Sequence, residues 1–339
     1  MAPPASSALD RPDAPTVDAS ATAPPTDGAA QPPMYIVLNV GSGRGDLEAA
    51  CATIEGVLHS AGRRHEILRV EAPEDLGAVA QRAVAQAREH GGIVVAAGGD
   101  GTLNAVAQAT LGSGCPFGVI PRGTFNYFGR THGIAGDTAA ATSALLTARL
   151  HPVQVGLVND RVFLVNASLG LYPQSLEDRE EQSRHLGRSR MVAAWAALVT
   201  LWRELRPMRV ILAHEGVSRR VRALTLFVGN NRLQLEQVGL SEAGAVDDGK
   251  LVAILVRPLP RLSLLVLLVR GAFGSLAQAE GVEHFPLTDL TVTPLRRSRK
   301  RFKVATDGEV VSVAAPLRFK VAQEPLLLLV PVGEPSAAQ

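Results

Sequence analysis

Gly98-Gly99-Asp100-Gly101-Thr102 constrains this chain more than any other stretch. It follows the apolar run Ile93-Val94-Val95-Ala96-Ala97 and precedes an Ala-rich helical pattern, which places it where a buried strand turns into a helix. Such a turn is suited to phosphate. Glycines let backbone N–H groups approach an anion without Cβ interference, and the helix N-terminus adds unpaired donors and a positive dipole end. Asp100 is the unexpected residue, because a carboxylate beside a phosphate cradle repels the ligand unless a cation or hydroxyl lies between them. It points to Mg²⁺ coordination or to positioning of an acceptor alcohol. Thr102 is placed to cap the helix or to bind a phosphate oxygen. Alone, the stretch is equally satisfied by an ordinary strand-to-helix turn with Asp100 as N-cap.

The residues upstream repeat the pattern. Tyr35 to Asn39 reads as a buried strand, Gly41-Ser42-Gly43-Arg44-Gly45 as a second glycine turn, and Leu47, Ala50, Cys51, Ile54, Val57, Leu58 and Ala61 recur at helical spacing. Glu66 to Val70 predicts a second strand, Leu76 to Ala87 a second helix, Ile93 to Ala97 a third strand, and Phe117 to Ile120 a fourth. This alternation predicts a parallel sheet with helices on both faces and a ligand at the carboxyl ends of the strands. Neither turn is a Walker A loop, and neither completes G-x-G-x-x-G. The loop Pro121 to Arg130 leaves the sheet at the same edge, with Thr124 and Asn126 as polar groups and Arg122 and Arg130 as charges suited to polyphosphate.

From Val153 the pattern changes to short strands, expected at 153–158, 162–166, 208–213, 221–228, 251–256 and 290–293, which predicts a sandwich-like second domain with a boundary near residue 150. A helix with Met191, Ala194, Trp195, Leu198, Leu201, Trp202 and Leu205 on one face interrupts it. Residues 1–33 are Pro, Ala, Ser, Thr and Asp with few large apolar side chains, which predicts a disordered tail without signal-peptide character. The apolar stretch Leu259 to Leu276 is broken by Arg261 and Arg270, too short between them to span a bilayer. Cys51 and Cys115 are the two cysteines and share no metal or redox spacing, which fits a reducing cytoplasm. A net charge of +2 gives no reason to expect nucleic-acid binding.

Taken with the Pro121 to Arg130 loop, Val246-Asp247-Asp248-Gly249-Lys250-Leu251 and Asp307-Gly308-Glu309, all in this order, the glycine-aspartate stretch resembles the bacterial diacylglycerol kinase-like lipid kinases over residues 34–332. The resemblance implies a nucleotide-binding α/β domain over 34–150, completed by 322–332 with the apolar strand Leu326 to Val330. It implies a β-sandwich lipid-substrate domain over 151–321, with the active site in the cleft between the two. It implies ATP held by Asn39, Ser42, Gly43, Arg44, Gly98, Gly99, Asp100, Gly101, Thr102 and Asn104, with Thr124 completing the pocket. Asp248, with the backbone carbonyls of Ala245 and Lys250, resembles the family's structural Mg²⁺ site, and Asp307-Gly308-Glu309 its catalytic turn. A lipid hydroxyl needs a proton acceptor. Glu309 is the expected general base, with Asp307 and Asp100 orienting acceptor and metal.

Two positions depart from the family pattern: Val70 stands where a threonine usually touches the nucleotide, and Tyr127 where an aspartate usually follows Asn126. The acceptor is therefore expected to be diacylglycerol or a related lipid alcohol. The basic run Arg296, Arg297, Arg299, Lys300 and Arg301 would hold the enzyme on anionic lipid, making it a cytoplasmic protein peripherally associated with a membrane. No nucleic-acid partner is expected, and a homodimer is compatible with the family. Competing readings are an NAD kinase-like phosphotransferase and a non-catalytic lipid-binding regulator on a degenerate kinase fold.

Overall fold

The computed structural model describes residues 31–39, 44–123, 126–170, 207–260, 263, 279–295 and 300–332, with residues 44–46 as backbone only. The tail up to residue 30, the helix expected at 191–205 and most of the apolar stretch after Leu259 lie outside the described residues.

Four segments rich in Val, Ile, Leu and Ala, β1 (Met34–Leu38), β3 (Ile93–Gly98), β4 (Phe117–Pro121) and, after a long excursion, the strand Leu326–Val330, are largely buried and build the first sheet with the partly exposed edge strand β2 (His65–Arg69). They interleave with α1 (Arg44–Ser60), α2 (Leu76–His90), α3 (Asp100–Thr110), α4 (Tyr127–Thr131) and α5 (Thr138–Thr147). α1 packs with α5, and α2 with α3, so each helix pair covers one face of the sheet. The order begins β2-β1-β3-β4, with parallel pairing throughout this part. Chain direction across the sheet therefore reverses between β1 and β3, and a doubly wound sheet opens its ligand crevice at the carboxyl ends of the two strands flanking such a reversal.

Two features extend this layer beyond the expectation. β5 (Arg149–Val153) pairs antiparallel with Leu326–Val330 and so lies in the first sheet, whereas the sequence places a strand at 153–158 in the second domain. Residues 31–33, read as tail, are tied to the sheet: the Pro33 carbonyl accepts the Ile93 N–H at 2.8 Å and the Gln31 side chain accepts from Arg63.

The second layer pair begins with β6 (Gly156–Val158), β7 (Arg161–Phe163) and β8 (Asn166–Gly170). It continues through β9 (Met208–His214), β10 (Val217–Ala223), β11 (Thr225–Gly229), the short helix α6 (Arg232–Gln237) and β12 (Leu251–Val256). The remaining strands are β13 (Val282–Leu287), β14 (Asp289–Pro294), β15 (Arg301–Thr306), β16 (Glu309–Ala314) and β17 (Leu317–Val321), and Leu326–Val330 is β18. Two six-stranded sheets result, β10-β9-β14-β17-β6-β7 and β13-β12-β11-β8-β15-β16. Phe163, Leu212, Val292 and Phe319 from one meet Leu169, Leu226, Leu255 and Val304 from the other in a common core. Each such side chain contributes roughly 1.5–3 kcal/mol on burial. The expected strand over 221–228 is broken at Leu224, because β10 and β11 belong to different sheets.

Candidate active site

The carboxyl ends of β1 and β3 meet at Asn39 and Gly98. The Asn39 N–H donates to the Ala97 carbonyl at 2.9 Å and its side-chain Nδ2 donates to Thr102 Oγ1 at 3.0 Å, so Asn39 holds the first turn of α3 against the sheet. A Cβ on Gly98 would come within 2.8 Å of the Asn39 carbonyl and closer still to the Thr102 side chain. Only glycine fits this turn. The N-cap of α3 is Gly99, with extended backbone and no side-chain cap, and Asp100 is the first helical residue. This rules out Asp100 as an N-cap. Thr102 caps nothing either, since its hydroxyl receives Asn39. The first-turn N–H groups of α3 therefore have no side-chain acceptor among the described residues, the arrangement that favours an anion.

The loop after β4 closes over this turn. The Arg122 N–H donates to the Gly98 carbonyl at 2.8 Å, and a Cβ on Gly123 would contact the Gly99 Cα at 3.4 Å. Asn126, at φ 46°, accepts the Gly123 N–H on its Oδ1 at 3.0 Å and starts α4. Arg122 Nη1 donates to Thr138 Oγ1 at 3.0 Å, and its Nε is buried without a partner among the described residues. Arg130 lies 6.0 Å from the Tyr127 ring centroid. Thr124, Ser42 and Gly43 lie outside the described residues, and Arg44 is placed only as the first residue of α1.

From the sandwich, the β15–β16 hairpin brings its turn to α3. Asp307 and Gly308 take φ of 49° and 94°, the paired left-handed positions that an Asp-Gly hairpin favours. Glu309 follows, exposed, with its carboxylate directly over the Gly101 Cα, where any Cβ would collide with it. Asp307 turns the other way. Its Oδ2 accepts Asn104 Nδ2 and the Leu164 N–H, both at 2.7 Å, and its Oδ1 accepts the Val165 and Asn166 N–H groups, both at 2.9 Å. Asn104 also donates to the Val162 carbonyl at 2.9 Å.

Two expectations are corrected here. Asp307 spends its carboxylate on internal donors and holds the turn rather than orienting acceptor or metal. Asn104 reaches across from α3 to the sandwich instead of facing the glycine turn.

The electrostatics separate the two aspartates. Burial, with the neighbouring Asp307 charge adding to it, raises the Asp100 carboxyl above the ordinary range, and its Oδ1 is buried without a hydrogen-bond partner among the described residues. An orphaned carboxylate oxygen beside a helix N-terminus suits a hard cation or a hydroxyl proton, so Asp100 fits the Mg²⁺ role read from the sequence. Burial also raises Asp307, opposed by its four N–H donors. We assign it as ionised, because every direction in which a proton could sit already faces an N–H.

In the second expected metal set, one of the three oxygens is already engaged twice. The Ala245 carbonyl accepts the N–H of Asp248 at 3.2 Å and of Lys250 at 3.0 Å, while the Lys250 carbonyl accepts from Gln154 at 3.1 Å. Two backbone amides thus occupy the Ala245 carbonyl and one side-chain amide the Lys250 carbonyl, and neighbouring Asp247 pairs with Arg232. Among the described residues no three His, Cys, Asp or Glu side chains gather as a metal cluster. Of the basic run, Arg296, Arg297 and Arg299 lie outside the described residues, Lys300 is exposed, and Arg301 donates to Ser312 Oγ at 2.8 Å on β16.

Sequence reasoning missed a cavity beside α4 and α6. Phe128, His132, His151, Asn230 and Asn231 border a cavity of about 380 Å³. Asn231 Nδ2 donates to Thr131 Oγ1 at 2.9 Å, joining α4 to the cap of α6. Burial, helped by the His151 charge, lowers His132 to about 4, so it is neutral at pH 7. The adjacent Asn230-Asn231 pair ahead of α6 is the signal that could have marked it.

The family model of the diacylglycerol kinase catalytic domain matches residues 33–158, and that of the YegS C-terminal NAD kinase beta sandwich-like domain matches 176–330. A probable lipid kinase YegS-like protein of Pseudomonas putida is 30% identical over 265 residues, 76% of this chain and 83% of its own length. The chain belongs to the diacylglycerol kinase-like lipid kinases. Within this lipid kinase family, a diacylglycerol kinase of Staphylococcus aureus (strain JH9) is 27% identical over 190 residues, 55% of this chain and 59% of its own. The lipid kinase fold matches a crystal structure described as a diacylglycerol kinase from Bacillus anthracis str. Sterne, with TM-score 0.67 and 20% identity over 90% of this chain and 99% of that one. As in that fold, an α/β domain with a parallel sheet is joined to a β-sandwich. No helix among the described residues of this lipid kinase is long and apolar enough to cross a membrane.

Proposed function

We infer that the protein transfers the γ-phosphoryl group of ATP to the hydroxyl of diacylglycerol or a related lipid alcohol. The observation that carries this reading is the seat of the Glu309 carboxylate over Gly101, on the uncapped first turn of α3. A phosphate on that turn and a hydroxyl between it and Glu309 would be in line for transfer. Glu309 is exposed to the cleft, so a hydroxyl can approach it, and it accepts the proton as the oxygen attacks phosphorus. The Gly98 to Gly101 N–H groups position the phosphates, and the Gly123 loop covers them. Asp100 is the residue that would hold Mg²⁺, which when bound offsets phosphate charge. Asp307 and Asn104 keep Glu309 at its station.

The test is transfer of labelled γ-phosphate from ATP into an organic-extractable product, using mixed micelles of a total lipid extract, with NAD offered in parallel as a soluble acceptor. Label in a lipid band that falls by at least a hundredfold in Glu309→Gln is the expected result. Label in NAD and none in lipid would overturn the lipid reading. ATP binding without turnover would point to a regulator.

A further inference from the structure

The sandwich carries a charged face that the phosphoryl-transfer site does not use. In the sheet β10-β9-β14-β17, Leu212, Val292 and Leu317 point inward, so their neighbours along each strand point out. Pairing aligns the outward residues in rows: Arg222 opposite Arg209, Arg220 opposite Ile211 and Thr293, and Ser218 opposite Ala213, Thr291 and Arg318. Lys320 stands opposite Asp289. Arg209, Arg220, Arg222 and Arg318 are exposed, and the one acid in these rows, Asp289, lies 3.8 Å from Arg318. Five cations thus face one carboxylate.

Two details go beyond a solvated surface. Arg209 and Arg222 sit directly opposite each other across neighbouring strands, an arrangement that destabilises a sheet by like-charge repulsion unless an anion intervenes. No ion pair or hydrogen bond engages either side chain, or Arg220, among the described residues. Nearby acid is already used on the inner side, where Glu283 takes both Arg219 and Arg257. Protection of a sheet edge explains cations on β10 alone. It does not explain Arg209, Arg318 and Lys320, which extend the charge over four strands, about 14 Å wide at normal strand spacing. Between them lie Ala213, Ser218, Thr291 and Thr293, short side chains, and the half-buried Ile211, leaving a shallow bed with arginines at its margins.

We propose that this outer sheet face docks the protein on an anionic lipid bilayer. A broad, shallow array of guanidinium groups without internal counterions is complementary to a plane of phosphate headgroups. The proposal rests on the lipid kinase reading for its choice of partner, and its test is independent of catalysis. Co-sedimentation of the full chain is measured with vesicles of phosphatidylcholine alone and with 30–40% phosphatidylglycerol (roughly, a strongly anionic surface). Wild type is compared with Arg209→Gln/Arg220→Gln/Arg222→Gln, and with Arg82→Gln/Arg88→Gln/Arg149→Gln, which removes equal charge from exposed positions of the α/β layer.

The face variant should lose on the order of a hundredfold in partitioning to anionic vesicles, about fivefold per charge. The control should lose far less, and phosphotransfer in uncharged detergent micelles should be unchanged in both. Equal loss in face variant and control would overturn the proposal, as would wild-type vesicle binding by the face variant. Face-dependent binding by a protein that phosphorylates no lipid would sustain the docking surface and remove the kinase reading instead.

Discussion

The Glu309 carboxylate occupies the space that a side chain on Gly101 would need. A residue of the sandwich and a residue of the nucleotide-type turn thus specify each other across about 200 residues of chain (roughly two domain lengths). Gly101 is needed for what faces it, since in a helix alanine would be favoured there by about 1 kcal/mol.

Gly101→Ala should therefore separate stability from activity. Alanine improves helix propensity, and its Cβ would meet only the far end of the flexible Glu309 side chain, so the melting temperature should hold or rise slightly. Turnover should fall about 10²- to 10⁴-fold, the range associated with loss of a positioned general base. Matching kcat losses for Gly101→Ala and Glu309→Gln, without an additive loss in the double variant, would support the pairing. Full activity in Gly101→Ala would refute it.

Asp307 should behave as a structural residue first. Its four accepted hydrogen bonds tie the β15–β16 turn to α3 and to the amides after β7. Asp307→Asn replaces one acceptor oxygen with an NH₂ group that must face N–H donors, at a cost of about 1–3 kcal/mol in denaturant unfolding. Asn104→Ala removes one donor and leaves three, so its cost should be smaller. If Asp307→Asn unfolds at the wild-type midpoint while activity is lost, the positioning role is wrong.

Asp100 sets a pH dependence whose sign is fixed by its raised carboxyl. The unfolded chain ionises this group near the ordinary aspartate value of about 3.9, and the folded protein does so only at higher pH. The resulting penalty is absent below the unfolded value, grows as pH rises between the two, and is complete above the folded value. Asp100→Asn should thus gain stability relative to wild type as pH rises through that window, and lose phosphotransfer at all pH values. A stability difference that is flat with pH would contradict the orphaned-oxygen assignment.

The α/β layer was legible because its strands are uninterrupted apolar runs and its helices keep a clean helical period, as in α2 with Ala80, Ala83, Val84 and Ala87 buried. The sandwich was less so. β15 does alternate Arg301 and Lys303 with Phe302 and Val304, but it starts inside the basic run Arg296 to Arg301, which reads as a charge cluster, and β16 begins at the exposed Glu309. β5 reads as polar because it is an edge strand, exposed at Arg149, Leu150, His151 and Pro152. At the site, spacing could place Asp100 and Glu309 on turns. It could not show that Asp307 points inward, because that depends on three backbone N–H groups from residues more than 140 positions away.

The Val246 to Leu251 turn gives the last prediction. A structural cation there would need the Ala245 carbonyl, which two backbone N–H groups already occupy. If the turn is held by hydrogen bonds and by the Arg232–Asp247 pair, excess EDTA should leave the melting temperature of the ATP-free protein unchanged. Asp248→Ala, an exposed change, should shift stability by no more than about 0.5 kcal/mol. Asp247→Ala should cost about as little, since exposed pairs contribute roughly 0–1 kcal/mol. Scanning calorimetry with and without EDTA decides the matter. A melting temperature that drops with EDTA in wild type but not in Asp248→Ala would mean that a cation displaces those two amides and completes the turn.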